Sequence, residues 1–115
     1  DYLKSIPLDK IGQIHLAGHS KVEKKAAPAQ TYLVDTHDQP ICEDVWNLYR
    51  WFCLEHAQGK SFPVMIERDA NIPEWSELEK ELLILHEIRH QGLQRRLHWA
   101  NSLFRKDEAF VEGPL

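Results

Sequence analysis

Three short stretches of this 115-residue chain carry side chains that could hold a metal ion. They are His15 and His19, then Asp35, His37 and Asp38, then Glu67 and Asp69, each at the end of a short apolar run. Hard carboxylates beside imidazoles suit Fe, Mn or Zn, and the lack of a nearby Cys argues against a thiolate site. Asp35 and His37 are two residues apart, so on an extended chain they point the same way. Glu67 closes an apolar run, where a carboxylate is costly to bury unless it meets a cation. Taken singly, each residue reads as well as a cap or a loop hydrogen-bonder, and Asp38 and Asp69 read best as turn or capping residues. The joint pattern carries the metal reading.

Elements able to position these residues follow from the apolar spacing. Strands are expected at 13–17, 31–36 and 63–67, with 20–30 an exposed loop rich in Lys. A helix is expected from Pro40 to Gln58, with Ile41, Val45, Leu48, Tyr49 and Phe52 at helical spacing and Gly59 ending it. A second helix is expected from Asn71, as cap, with Pro73 in the first turn and Glu74 completing a capping box. Trp75, Leu78, Leu82 and Leu85 line one of its faces, and the pattern runs on through Leu93 and Leu97 towards Phe104. Trp46, Trp51 and Trp75 are expected in packing roles. Strands alternating with helices predict an α/β fold with a parallel sheet, and chemistry then sits at the carboxyl ends of the strands.

The motifs also carry a resemblance. Ile14-His15-Leu16-Ala17-Gly18-His19, Asp35-Thr36-His37-Asp38 and Ile66-Glu67-Arg68-Asp69-Ala70-Asn71-Ile72-Pro73 occur in that order, with Val45-Trp46-Asn47-Leu48-Tyr49 between. Over about residues 3–85 the chain resembles the C-terminal part of the multinuclear iron-dependent oxidative enzymes, the family that includes the methanobactin-biosynthesis iron oxygenase. The resemblance implies the last three βα units of a TIM-type (β/α)8 barrel of the xylose-isomerase kind, present as a fragment. Residues 1–88 would be the barrel portion and 89–115 a helical or irregular extension. It implies two or three irons per intact site, with His15, Asp35, His37 and Glu67 as ligands. His19 and Asp69 would support those ligands or face substrate. It implies O2-dependent modification of Cys or other residues in a ribosomally made precursor peptide, with a partner protein presenting the peptide. Arg68 stands where the family commonly has Trp, and its neighbour Glu67 points it to the opposite face. A whole barrel needs about 250 residues, so the chain is expected to be part of a longer enzyme.

A second motif competes. His86-Glu87-Ile88-Arg89-His90 matches HExxH, in which two imidazoles bind zinc and Glu acts as general base. Ile88 continues the Leu78, Leu82, Leu85 stripe, which places His86 and His90 off the core face. Glu108 and Glu112 are the candidate third ligands. A solvated helix face is the simpler reading, and a zinc metallohydrolase stays an alternative. So does a non-catalytic fragment or interaction module.

Composition narrows the classes. The net charge of −4 argues against a broad nucleic-acid footprint, although Arg89 to Lys106 carries five basic residues and no acid. No apolar run reaches membrane-span length, so no membrane role is expected. Cys42 and Cys53 lie 11 residues apart, about 16 Å along one helix, too far for a disulfide. Unpaired thiols with no ligand spacing point to a cytoplasmic protein. The residues from 110 on read as a tail.

Overall fold

The computed structural model describes residues 2–25 and 27–108, so the tail and Glu112 lie outside the described residues. The elements run α1 (Tyr2–Ser5), a 3-10 turn at Leu8–Lys10, β1 (Ile14–Ala17), β2 (Ser20–Lys24), β3 (Gln30–Val34), α2 (Glu43–Trp51), β4 (Val64–Glu67) and α3 (Trp75–Glu108). A π-helical stretch, Phe52–His56, continues α2.

The chain is a mixed α/β structure. β1 and β4 pair in parallel, from Ile14 opposite Val64 to Ala17 opposite Glu67. Both apolar runs thus end at the same level, with their polar residues together. α2 lies between them in sequence and packs on the sheet, as a parallel pair requires. The core joins Leu16 of β1 to Trp46 and Tyr49 of α2, Phe52 of the π stretch, and Leu85 and Ile88 of α3. Burying each such side chain stabilises the fold by about 1.5–3 kcal/mol.

The strand expected at 31–36 is Gln30–Val34, and it does not join the parallel sheet. It pairs antiparallel with β2, Ser20 opposite Val34 and Lys24 opposite Gln30. The expected loop at 20–30 is therefore half of a hairpin. Every residue of β3 is exposed, and of β2 only Ser20 is not. With no buried face, the hairpin leaves no periodic apolar signal in the sequence.

The helices also begin later than the sequence suggests. α2 starts at Glu43, after Cys42 in extended conformation. It closes at Gln58 and Gly59, both with positive φ (50° and 74°), so the left-handed turn falls where the glycine predicts it. α3 starts at Trp75. Asn71 is not its cap: it has φ 49°, and its side-chain amide donates to the carbonyl of Asp38. Trp46 is buried, whereas Trp75, expected in packing, is 67% exposed.

α3 has 34 residues, about 51 Å of helix, and only its first half meets the core. Leu93, Leu97, Trp99, Leu103 and Phe104 are exposed along the second half. The radius of gyration is 20.0 Å, against about 13 Å for a compact domain of similar length. Cys42 and Cys53 are both free thiols, as their spacing predicts. Among the described residues no helix is long and apolar enough to cross a membrane.

Candidate metal centre

The alternation of β1 puts His15 on the same face as Ala17, beside the end of β4. His15 Nδ1 lies 2.9 Å from Glu67 Oε2. The other oxygen of Glu67 lies 3.2 Å from His37 Nδ1. One carboxylate thus faces two imidazoles, one through each oxygen. His37 Nδ1 is also 2.9 Å from Asp69 Oδ2, and its Nε2 is 2.8 Å from Asp35 Oδ1. Two imidazoles and three carboxylates form one continuous group at the carboxyl ends of β1 and β4.

Backbone contacts bring the third segment in. The amide of Asp69 donates to the carbonyl of His37 at 2.9 Å, tying the loop after β4 to the loop after β3. His37 has φ 51°, a left-handed conformation that few non-glycine residues adopt and histidine tolerates better than most. That turn brings Asp35 and His37 into direct contact. Asp38 organises the same loop. It accepts from Ser20 Oγ at 3.0 Å and from the Thr36 hydroxyl, and these bonds hold its carboxyl below the usual range.

Gly18 sets the approach of the two loops. A Cβ there would lie 2.0 Å from the carbonyl oxygen of Gln39 and 2.5 Å from that of Pro40. The segment carrying Asp35 and His37 can close on β1 only if residue 18 has no side chain. Gly18→Ala is expected to cost about 1–3 kcal/mol and to loosen metal binding in the intact parent protein. Paired chemical unfolding and metal titration check this, and an unchanged metal affinity would contradict it.

Each expected site residue can now be placed. His15, Asp35, His37 and Glu67 lie in the group. Asp69, read from sequence as a turn or supporting residue, lies in its tightest part. His37, Glu67 and Asp69 each offer a ligand atom, all within 4.8 Å of one another, the one such trio among the described residues. Among the described residues Asp35 pairs with His37 alone, and its side chain is 86% exposed. His19 is half-buried nearby, and among the described residues no hydrogen bond or ion pair joins it to the group. Sequence reasoning missed Ser20, Thr36 and Gly18. Only the glycine, between two histidines, was a visible signal.

The donor set fits a hard or borderline divalent cation: imidazole nitrogen and carboxylate oxygen, with no sulfur. The hydrogen bond with Asp69, helped by the charges of Asp35 and Glu67, raises the pKa of His37 above its ordinary value despite some desolvation. Protonated His37 cannot ligate, so acid and metal compete for it. Metal uptake is expected to fall as pH drops and His37 takes up a proton. A titration between about pH 5 and pH 8 checks this, and uptake independent of pH would contradict it.

The HExxH residues lie elsewhere. His86, Glu87 and His90 are exposed on α3. Glu87 accepts from Gln91 at 3.0 Å, and His90 Nε2 lies 2.9 Å from Gln94 Nε2. No third His, Cys, Asp or Glu completes a site with them among the described residues. The side chains of Glu108 and Glu112 are outside those residues.

Comparison with known proteins adds a family. The family model described as "RiPP precursor modification enzyme MbnB/TglH/ChrH" matches residues 1–90. Among curated proteins, a UPF0276 protein of Rhizorhabdus wittichii is 43% identical over 96 residues, covering 82% of this chain and 30% of the relative. One from Caulobacter vibrioides is 45% identical over 84 residues, 71% of this chain and 26% of the relative. One from Paraburkholderia phytofirmans is 38% identical over 103 residues, covering 79% and 32%. The chain therefore spans about a third of the length of these relatives. No solved structure matches it.

Proposed function

The chain belongs to the MbnB/TglH/ChrH family of RiPP precursor modification enzymes, and from that premise we propose that it supplies part of an iron centre for oxidative peptide modification. The convergence of His15, Asp35, His37, Glu67 and Asp69 carries this reading. The intact parent would use O2 to modify Cys or another residue of a ribosomally made precursor peptide, with a partner protein presenting it.

His15, His37, Glu67 and Asp69 would hold the metal. Glu67, with one oxygen towards each imidazole, would join His15 and His37 in one donor set, and the intact site would hold two or three irons. Asp35, expected from the sequence as a ligand, would instead orient His37 through Nε2 and raise its basicity, with Asp69 taking its place in the donor set. His19, close by, would face substrate. The iron would supply the open coordination positions and electrons that O2 chemistry needs. Residues 1–88 would form the C-terminal portion of a (β/α)8 barrel, with β1 and β4 as staves and the β2–β3 hairpin an insertion between them. The open outer edges of the parallel pair support that reading. Residues 89–115 would extend beyond the barrel.

The zinc-hydrolase alternative makes the opposite prediction. Asp35→Ala in the intact parent should lower peptide-dependent O2 uptake by about 10–100-fold, while His86→Ala leaves it within about twofold. Oxygen-electrode assays of both variants test this. Loss of activity in His86→Ala alone would sink the iron reading.

A further inference from the structure

The histidines of the HExxH motif line a cleft of about 290 Å³ at the opposite end of the sheet, where β1 and β4 begin. Lys60, His86, Arg89, His90 and Arg96 surround it, and no acidic side chain lines it. Ile14, Phe52, Phe62 and Leu93 give it apolar walls, with Tyr49, Cys53 and Ser61 also lining it. Among the described residues none of Lys60, Arg89 and Arg96 pairs with a carboxylate; Arg89 instead donates to Ser61 Oγ at 3.2 Å. The nearby Arg95 is different, being paired with Glu55 at 2.9 Å.

Two backbone features give the cleft its shape. Arg96 lies across the left-handed turn that closes the α2 segment, its Cδ 2.7 Å from where a Gly59 Cβ would sit. Gly92 brings α3 against Cys53, at 3.4 Å from a Cβ built there. A cation is a poor occupant, because two guanidinium groups and an ammonium surround the imidazoles and repel it. An anion meets the reverse field. Guanidinium forks match the oxygens of phosphates and carboxylates, and the apolar walls accept a hydrophobic body.

We propose that this cleft binds a small anion carried on an apolar group, with Arg89 and Arg96 gripping the anion. It is separate from the metal centre and independent of the reading given for it. The HExxH spacing then marks one wall of an anion cleft and not a zinc site.

Isothermal titration of the intact parent with phenyl phosphate tests the proposal, with phenol and inorganic phosphate as half-ligands. Phenyl phosphate is expected to bind more tightly than either half. Arg89→Gln should weaken it by at least about tenfold. Arg96→Gln, an exposed change that leaves the core alone, should also weaken it. His37→Ala should leave phenyl phosphate binding unchanged, and Arg89→Gln should leave metal content unchanged, so the two sites fail independently. Absence of binding at millimolar probe, or binding indifferent to both arginine substitutions, would overturn the proposal. So would zinc held by His86 and His90 in place of the anion.

Discussion

Glu67→Ala in the intact parent is expected to weaken metal binding by more than about 100-fold and to abolish turnover. The magnitude follows from position. Groups that merely support a ligand cost about 10–100-fold when removed, and Glu67 stands inside the donor set. Among the described residues it is the one whose two oxygens reach both His15 and His37. Its loss removes the link between His15 and His37. Glu67→Gln keeps the shape and removes the charge, so it should fold normally and still lose most of the metal. Metal titration of the two variants against the parent checks this. Retained affinity in Glu67→Gln would mean that Glu67 serves the fold and not the ion.

Arg68→Ala is expected to destabilise the intact protein by about 3–5 kcal/mol, a large share of the stability of an ordinary domain. Arg68 turns away from the metal group, as alternation from Glu67 predicts, and lies 3.4 Å from Glu81 of α3. The side chains of both are nearly buried, with relative exposures of 7% and 10%. The same Glu81 oxygen accepts the Ile41 amide at 2.8 Å. One carboxylate thus fastens the end of β4, the start of the α2 segment and α3 together, directly behind the metal group. Removing Arg68 leaves the buried Glu81 side chain with the Ile41 amide and no cation. Arg68→Met with Glu81→Leu removes both charges and should recover most of the loss, short of the bond to Ile41. Urea unfolding of the single and double variants tests the coupling. Equal losses in both would show that packing, and not charge pairing, dominates.

The parts of this structure legible in the sequence are those with a buried face. Ile14–Ala17 and Val64–Glu67 announce themselves because their apolar residues meet the core, and their polar ends mark the site. The face of α3 with Leu85 and Ile88 is legible for the same reason. Of the hairpin, Gln30–Val34 is legible from its β-branched and aromatic residues, but Ser20–Lys24 and the antiparallel pairing are not, because these strands bury almost nothing and are held by backbone hydrogen bonds. Nor was the role of Asp69. As a lone Asp after a strand it reads as a turn residue, and only the His37 turn reveals its partner. That turn depends on a left-handed histidine and on Gly18 passing under Gln39, contacts between segments about 20 residues apart. Trp75 misled because helical spacing says which face a residue is on, but not whether anything covers that face.

The most direct test is the metal content of the full-length parent, purified without oxygen, beside an Asp35→Ala/His37→Ala variant. Iron at two or three per chain in the parent, lost in the variant, is the predicted result. A parent without stoichiometric metal, or a variant that keeps it, would contradict the metal centre described above.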